Sequence, residues 1–221
     1  MDTLQQLMRT THIWAGFALL ALFWVPLFVK KGGRAHVVTG RIYTWVMFGI
    51  LFTAAALCVY RIATGNWSQG FALGFLTLIS FNALWYGYAI AIKKKLTPSI
   101  ALARRIQFLV TGIYGLVLCY LGVKYGQVLF IIFGILGFLP MVFAVINALR
   151  KAPKTQFDWL REHYGNMIIS GGAAYTAFLA FGSRVFFTIP EDSAWGIVPW
   201  VLPTAIAVIA VLLYNKKRGV G

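Results

Sequence analysis

The sequence predicts an all-α, polytopic membrane protein: a bundle of seven transmembrane helices forming a single integral-membrane domain over residues 1–221. Three observations predict it. Sixty per cent of the residues are hydrophobic and 11% charged, with a mean hydropathy of +0.79, far from the balance of a soluble domain. The charges sit in short clusters that leave seven uncharged runs, at 10–29, 42–60, 62–92, 106–123, 125–149, 163–183 and 193–215. Each approaches the roughly 20 residues that a helix needs to cross hydrocarbon. Finally, the basic residues alternate between rich and poor connections. A closed barrel, the other spanning solution, calls for shorter segments of alternating polarity.

That alternation sets the orientation. Sixteen Lys and Arg residues fall in the first, third and fifth loops and the C-terminal tail. Only Arg9, Arg61, Lys124 and Arg184 fall on the other side. By the positive-inside rule the N-terminus lies outside and the C-terminus is cytoplasmic. The net charge of +15 then calls for anionic lipid head groups as partners, not nucleic acid, and Lys93-Lys94-Lys95 reads as a solvated anchor. The lysines after the first run are the wrong flank for a cleavable signal. Cys58 and Cys119 lie toward the outer ends of their spans. A disulfide is one reading, and small packing residues in apolar helices the stronger one.

Taken in order, the spans are expected at about 10–29, 41–60, 70–92, 105–123, 127–149, 163–187 and 195–214. The first carries His12 and Trp14 near its outer end and Pro26 near its inner end, where a membrane helix tolerates a kink. The link to the second, Lys30 to Arg41, is a basic hinge whose Gly32 and Gly33 let the chain reverse. The third holds Ser80 and Asn82 near mid-membrane, where a buried amide most often bonds a neighbouring helix. The fourth begins near Gln107, and the fifth contains Pro140. Before the sixth lies a polar stretch with Asp158, Arg161, Glu162, His163 and Asn166, and Asp158 and Arg161 share a helix face. Glu191 and Asp192 make a small acidic patch outside, ahead of the seventh span. Tryptophans near both interfaces form the expected aromatic belt.

The three histidines are the candidates for chemistry. His12 and His36 are 24 residues apart, about 36 Å along a continuous helix, too far to share one ion. His36 and His163 both lie at cytoplasmic ends of spans and are expected to form one site with Arg41, Asp158, Arg161, Glu162 and Asn166. His12 is the outer-side candidate. Imidazole at such a depth binds a metal or haem, or carries protons near neutral pH. A zinc site would need three or four close ligands, which no paired-histidine or paired-cysteine spacing announces. Haem b held by two axial histidines would need His36 and His163 to face each other. No Walker loop, nucleophile elbow or dinucleotide fingerprint is present. The bland alternative is that these side chains only anchor helix ends.

Three segments resemble a known pattern: His12-x-x-x-Gly16; Lys31-Gly32-Gly33-x-x-His36-x-x-x-Gly40-Arg41-x-Tyr43; and His163-x-x-x-Met167 followed by Thr176-Ala177-Phe178. They resemble a bacterial family of predicted multi-helix membrane proteins of unknown function, most specifically in the Lys-Gly-Gly-x-x-His hinge after the first span. The resemblance implies membrane location, about seven helices and added weight on the three histidines. It assigns no catalytic role, and whether the chain is an enzyme stays open.

With that resemblance, the expected function is a multi-pass bacterial inner-membrane protein of unknown activity with a polar histidine site at its cytoplasmic mouth, binding a small ligand or redox cofactor. A haem-binding electron-transfer protein, a small transporter lined by Ser80 and Asn82, and a structural partner subunit without ligand are the alternatives. Association with a second copy or another membrane protein fits each of them.

Overall fold

The structure, a computed structural model, describes residues 3–150, 158–182, 196 and 198–217. Among them the chain forms seven helices and no strand: α1 (Thr3–Phe28), α2 (Arg34–Ala63), α3 (Trp67–Lys93), α4 (Pro98–Tyr125), α5 (Val128–Arg150), α6 (Asp158–Phe181) and α7 (Val198–Lys217). Each expected span falls on one helix. Residues 183–187 of the sixth span, Trp195 and the Glu191–Asp192 patch lie outside the described residues. Among the described residues six helices, all but α6, are long and apolar enough to cross a membrane. That is the architecture of a multi-pass membrane protein. The first turns of α6 carry Asp158, Arg161, Glu162, His163 and Asn166.

The helices overrun the apolar runs because caps, not hydrophobicity, decide where a helix stops. α4 starts with Pro98 in its first turn, behind Thr97, whose hydroxyl accepts from the Ile100 amide at 3.4 Å. That pairing of a threonine cap with an early proline is the favoured helix start. The hinge between α1 and α2 turns on one glycine. Gly32 has φ +75, which a side chain disfavours, while Gly33 has φ −72 and serves as an extended N-cap of α2.

The chain divides into two compact units. The first comprises residues 1–81 and 168–212 and so holds α1, α2, most of α3, and the larger parts of α6 and α7. Its core includes Leu19, Tyr43, Met47 and Phe75, each at most 1% exposed. Hydroxyl hydrogen bonds stitch its helices together. Tyr43 meets Ser170 at 3.1 Å and Thr176 meets Thr204 at 3.2 Å. The Trp24 indole donates to the Tyr175 hydroxyl at 2.6 Å, and that hydroxyl donates to the Leu20 carbonyl at 3.0 Å. In hydrocarbon each of these groups needs a protein partner, since water is not there to supply one.

The second unit comprises residues 82–167 and 213–221, with α4 and α5 as its main pair. Glycines let these two helices approach backbone to backbone. A Cβ at Gly115 would lie 2.6 Å from the Gly134 carbonyl oxygen and 3.0 Å from the Phe138 nitrogen. Asn82 is spent as expected, its amide donating to Thr111 Oγ1 on α4 at 2.7 Å. Large apolar side chains remain exposed throughout, among them Phe28, Phe52 and Val123 at 81%, 77% and 74%. Water would oppose that exposure by about 25 cal/mol per Å², whereas lipid tails do not.

Candidate functional site

A ligand-sized hollow lies wholly in the first unit. It is a cavity of about 840 Å³ walled by α1, α2, α3 and α6, within the size range of small-molecule sites. α1 contributes Arg9, His12, Ile13, Gly16, Phe17 and Leu20, the i, i+3, i+4, i+7 stripe of one helix face. Gly16 stands at this wall with nothing within 4 Å of where its Cβ would be. α2 contributes Met47 and Leu51 deep in the cavity and Arg61 at its end. α3 runs from Asn66 and Gln69 to Ser80, and α6 from Gly182 to Ala173. From Arg9 to Leu20 and from Gln69 to Ser80 the wall extends eleven residues, roughly 16 Å along a helix.

His12 is fixed at this wall. Its Nδ1 lies 2.8 Å from Thr53 Oγ1, and the Thr53 hydroxyl donates to the Ile50 carbonyl at 2.9 Å. A hydroxyl has one proton, so Nδ1–H is the donor to Thr53, and in the neutral ring the lone pair sits on Nε2. A ring oriented through one nitrogen presents the other as a ligand or proton acceptor. Ser80 and Thr77 also line the cavity, but their hydroxyls bond back to the Leu76 and Leu73 carbonyls at 2.7 and 2.8 Å. The walls below His12 therefore present mostly carbon, and the polar groups gather at the Arg9–Arg61 end.

His36 sits in the first unit at the hinge. Its Nδ1 donates to the Pro26 carbonyl at 3.0 Å. Lys31 Nζ donates to the same oxygen at 2.9 Å and to the Leu27 carbonyl as well. The last carbonyls of a helix have no partner within the helix, and a cation there also meets the negative end of its dipole. Partial burial at this helix end lowers the pKa of the Lys31 ammonium. The Lys-Gly-Gly-x-x-His motif is thus a clasp over the end of α1, with Gly32 making the turn.

His163 belongs to the second unit. Its Nδ1 donates to the Gly87 carbonyl of α3 at 2.8 Å. Glu162 beside it pairs with Arg104 of α4 at 3.0 Å, and Asn166 donates to the Glu162 carbonyl at 2.7 Å. Arg104 also donates to the Tyr86 hydroxyl at 2.6 Å and lies over the Tyr86 ring, 4.1 Å from its centroid. Arg41 and Arg161 are exposed, and no described residue bonds either. The Asp158 side chain lies outside the described residues. Of the expected cytoplasmic cluster, then, Glu162, His163 and Asn166 stand together in the second unit, while His36 and Arg41 belong to the first. Among the described residues no three His, Cys, Asp or Glu side chains are grouped to hold a metal ion. Both cysteines are free thiols, Cys58 in the first unit and Cys119 in the second.

Sequence reasoning missed two features. Arg104 looked like one more interfacial charge, and nothing in its spacing marks it as the partner of Glu162. The cavity stripe was more accessible: Arg9, His12 and Gly16 recur at helical spacing, and each poor-side connection flanking the cavity carries a lone arginine. No family model matches the chain, and no curated protein or solved structure matches it.

Proposed function

We propose that this is a seven-span bacterial inner-membrane protein that binds a small, largely apolar molecule between α1, α2, α3 and α6 in the outer half of the bilayer. The observation that carries the reading is the 840 Å³ cavity of the first unit, with a carbon-rich interior and an oriented histidine in its wall. Polar residues at membrane depth are functional candidates because they are expensive to keep there, and His12 lines a ligand-sized space. His36 and Lys31 are accounted for by capping α1.

The test is photo-crosslinking in phosphatidylcholine nanodiscs with a diazirine-bearing hexadecanol. Label is expected on α1, α2 and α6 residues of the cavity wall. Gly16→Phe, which places a ring in open space, should reduce that label at least severalfold and leave the folded yield unchanged. Label spread only over the outward faces of the helices would overturn the reading. A haem is the second reading, favoured by the Nδ1-anchored ring of His12, an arrangement suited to an axial ligand. A Soret band in the purified protein that is lost in His12→Ala is its signature.

The outer location of the cavity rests on the charge asymmetry. Reporter fusions after residues 95 and 218 are expected to read cytoplasmic and a fusion after residue 67 external. A cytoplasmic signal at residue 67 would invert the orientation and put the cavity in the inner leaflet.

A further inference from the structure

We propose that the occupant of this cavity is a single-chain amphiphile with an anionic head group, carboxylate or phosphate, seated between Arg9 and Arg61 with its chain running toward Leu20 and Ser80. This rests on the cavity being a ligand site, as argued above, and specifies what the site selects.

Charge carries the first part. Among the described residues, two arginines line the cavity and no Asp or Glu does. Among the described residues Arg9 has no partner, and the Arg61 guanidinium donates to the neutral Gln69 amide oxygen. The one carboxylate with a described side chain, Glu162, is bound to Arg104 in the second unit. The mouth therefore presents two guanidinium groups beside a low-dielectric interior, where an anion gains most. A guanidinium fork also matches the paired oxygens of a carboxylate or phosphate.

Shape carries the second part. The polar groups Arg9, Arg61, Asn66, Gln69 and His12 gather at one end, and below them the Thr77 and Ser80 hydroxyls are turned to their own helix. The wall runs roughly 16 Å, about half of the roughly 30 Å hydrocarbon thickness. That is one leaflet's depth, the reach of one acyl chain whose head stays at the interface. His12, one turn below Arg9, offers Nε2 to a proton or hydroxyl near the head group.

The experiment uses the nanodisc crosslinking above and asks which unlabelled molecule displaces the diazirine hexadecanol. Palmitic acid and lysophosphatidic acid are expected to displace it at concentrations about tenfold lower than hexadecanol does, the equivalent of one charge-assisted contact. The better of the two acids identifies the head group as carboxylate or phosphate. Arg9→Gln combined with Arg61→Gln should abolish the preference, and Arg9→Lys combined with Arg61→Lys should keep most of it. Equal displacement by acid and alcohol, or a preference that survives the double glutamine variant, overturns the inference while leaving the cavity reading intact. Absence of any cavity label removes that reading, and this inference with it.

Discussion

Gly115→Ala destabilises the protein, while Gly49→Ala, the same substitution on α2, is neutral or stabilising. Alanine is the better helix former by roughly 1 kcal/mol, and nothing lies within 4 Å of a Cβ at Gly49, so that site keeps the gain. At Gly115 the new carbon would stand 2.6 Å from the Gly134 carbonyl and 3.0 Å from the Phe138 nitrogen. Both obstacles are backbone, which has no rotamer to move into, so α4 and α5 must separate. Membrane helices depend on such close approach because lipid supplies no hydrophobic drive between them. The overpacking costs about 1–3 kcal/mol. Gly134→Ala, whose Cβ would lie 2.7 Å from the Gly115 carbonyl, should do the same, and the double variant should fall short of the sum because one displacement relieves both clashes. Thermal unfolding followed by size-exclusion profile in detergent checks the order. Equal melting of the Gly115 and Gly49 variants would show that the α4–α5 contact is not a close one.

The second large effect is expected at the Arg104–Glu162 pair. The two side chains are 28% and 24% exposed, too buried to be a freely solvated ion pair and too exposed to carry the full low-dielectric energy. Glu162→Gln should cost about 1–2 kcal/mol, because it removes one partner of a charged hydrogen bond and leaves the other half-buried. Arg104→Lys should cost a similar amount despite keeping the charge. An ammonium cannot reproduce a guanidinium that bonds Glu162, donates to the Tyr86 hydroxyl and lies over its ring. In a double-mutant cycle with Glu162→Ala and Arg104→Ala the coupling should exceed about 0.5 kcal/mol. Additive losses would mean that the pair adds nothing beyond packing. Asn166→Ala tests the same knot, since the Asn166 amide bonds the Glu162 carbonyl and lies 3.4 Å from Oε2.

The helix count, the approximate positions of the helices and the turn at Gly32 could be read from the chain alone. Those properties are set locally: an uncharged run must satisfy its own backbone hydrogen bonds in lipid, and a glycine between two such runs is where the chain can reverse. The helix ends were less legible, because Thr97 with Pro98 acts through capping geometry and not through hydropathy. The histidines divide along the same line. That they were the polar side chains to follow was evident from composition, but what each one touches was not. His36 reaches back ten residues to the Pro26 carbonyl, His163 reaches Gly87 seventy-six residues away, and His12 reaches Thr53 across forty-one. Only the packing of one helix on another chooses those acceptors. The same holds for Glu162, whose nearest basic residue in sequence is Arg161 but whose partner is Arg104. A helix puts neighbours in sequence about 100° apart around its axis, so adjacency along the chain does not make an ion pair. The cavity belongs most completely to the tertiary structure. A stripe of Arg9, His12 and Gly16 gives α1 a distinctive face, but whether that face is filled by a neighbour's side chains or left hollow depends on how four helices meet.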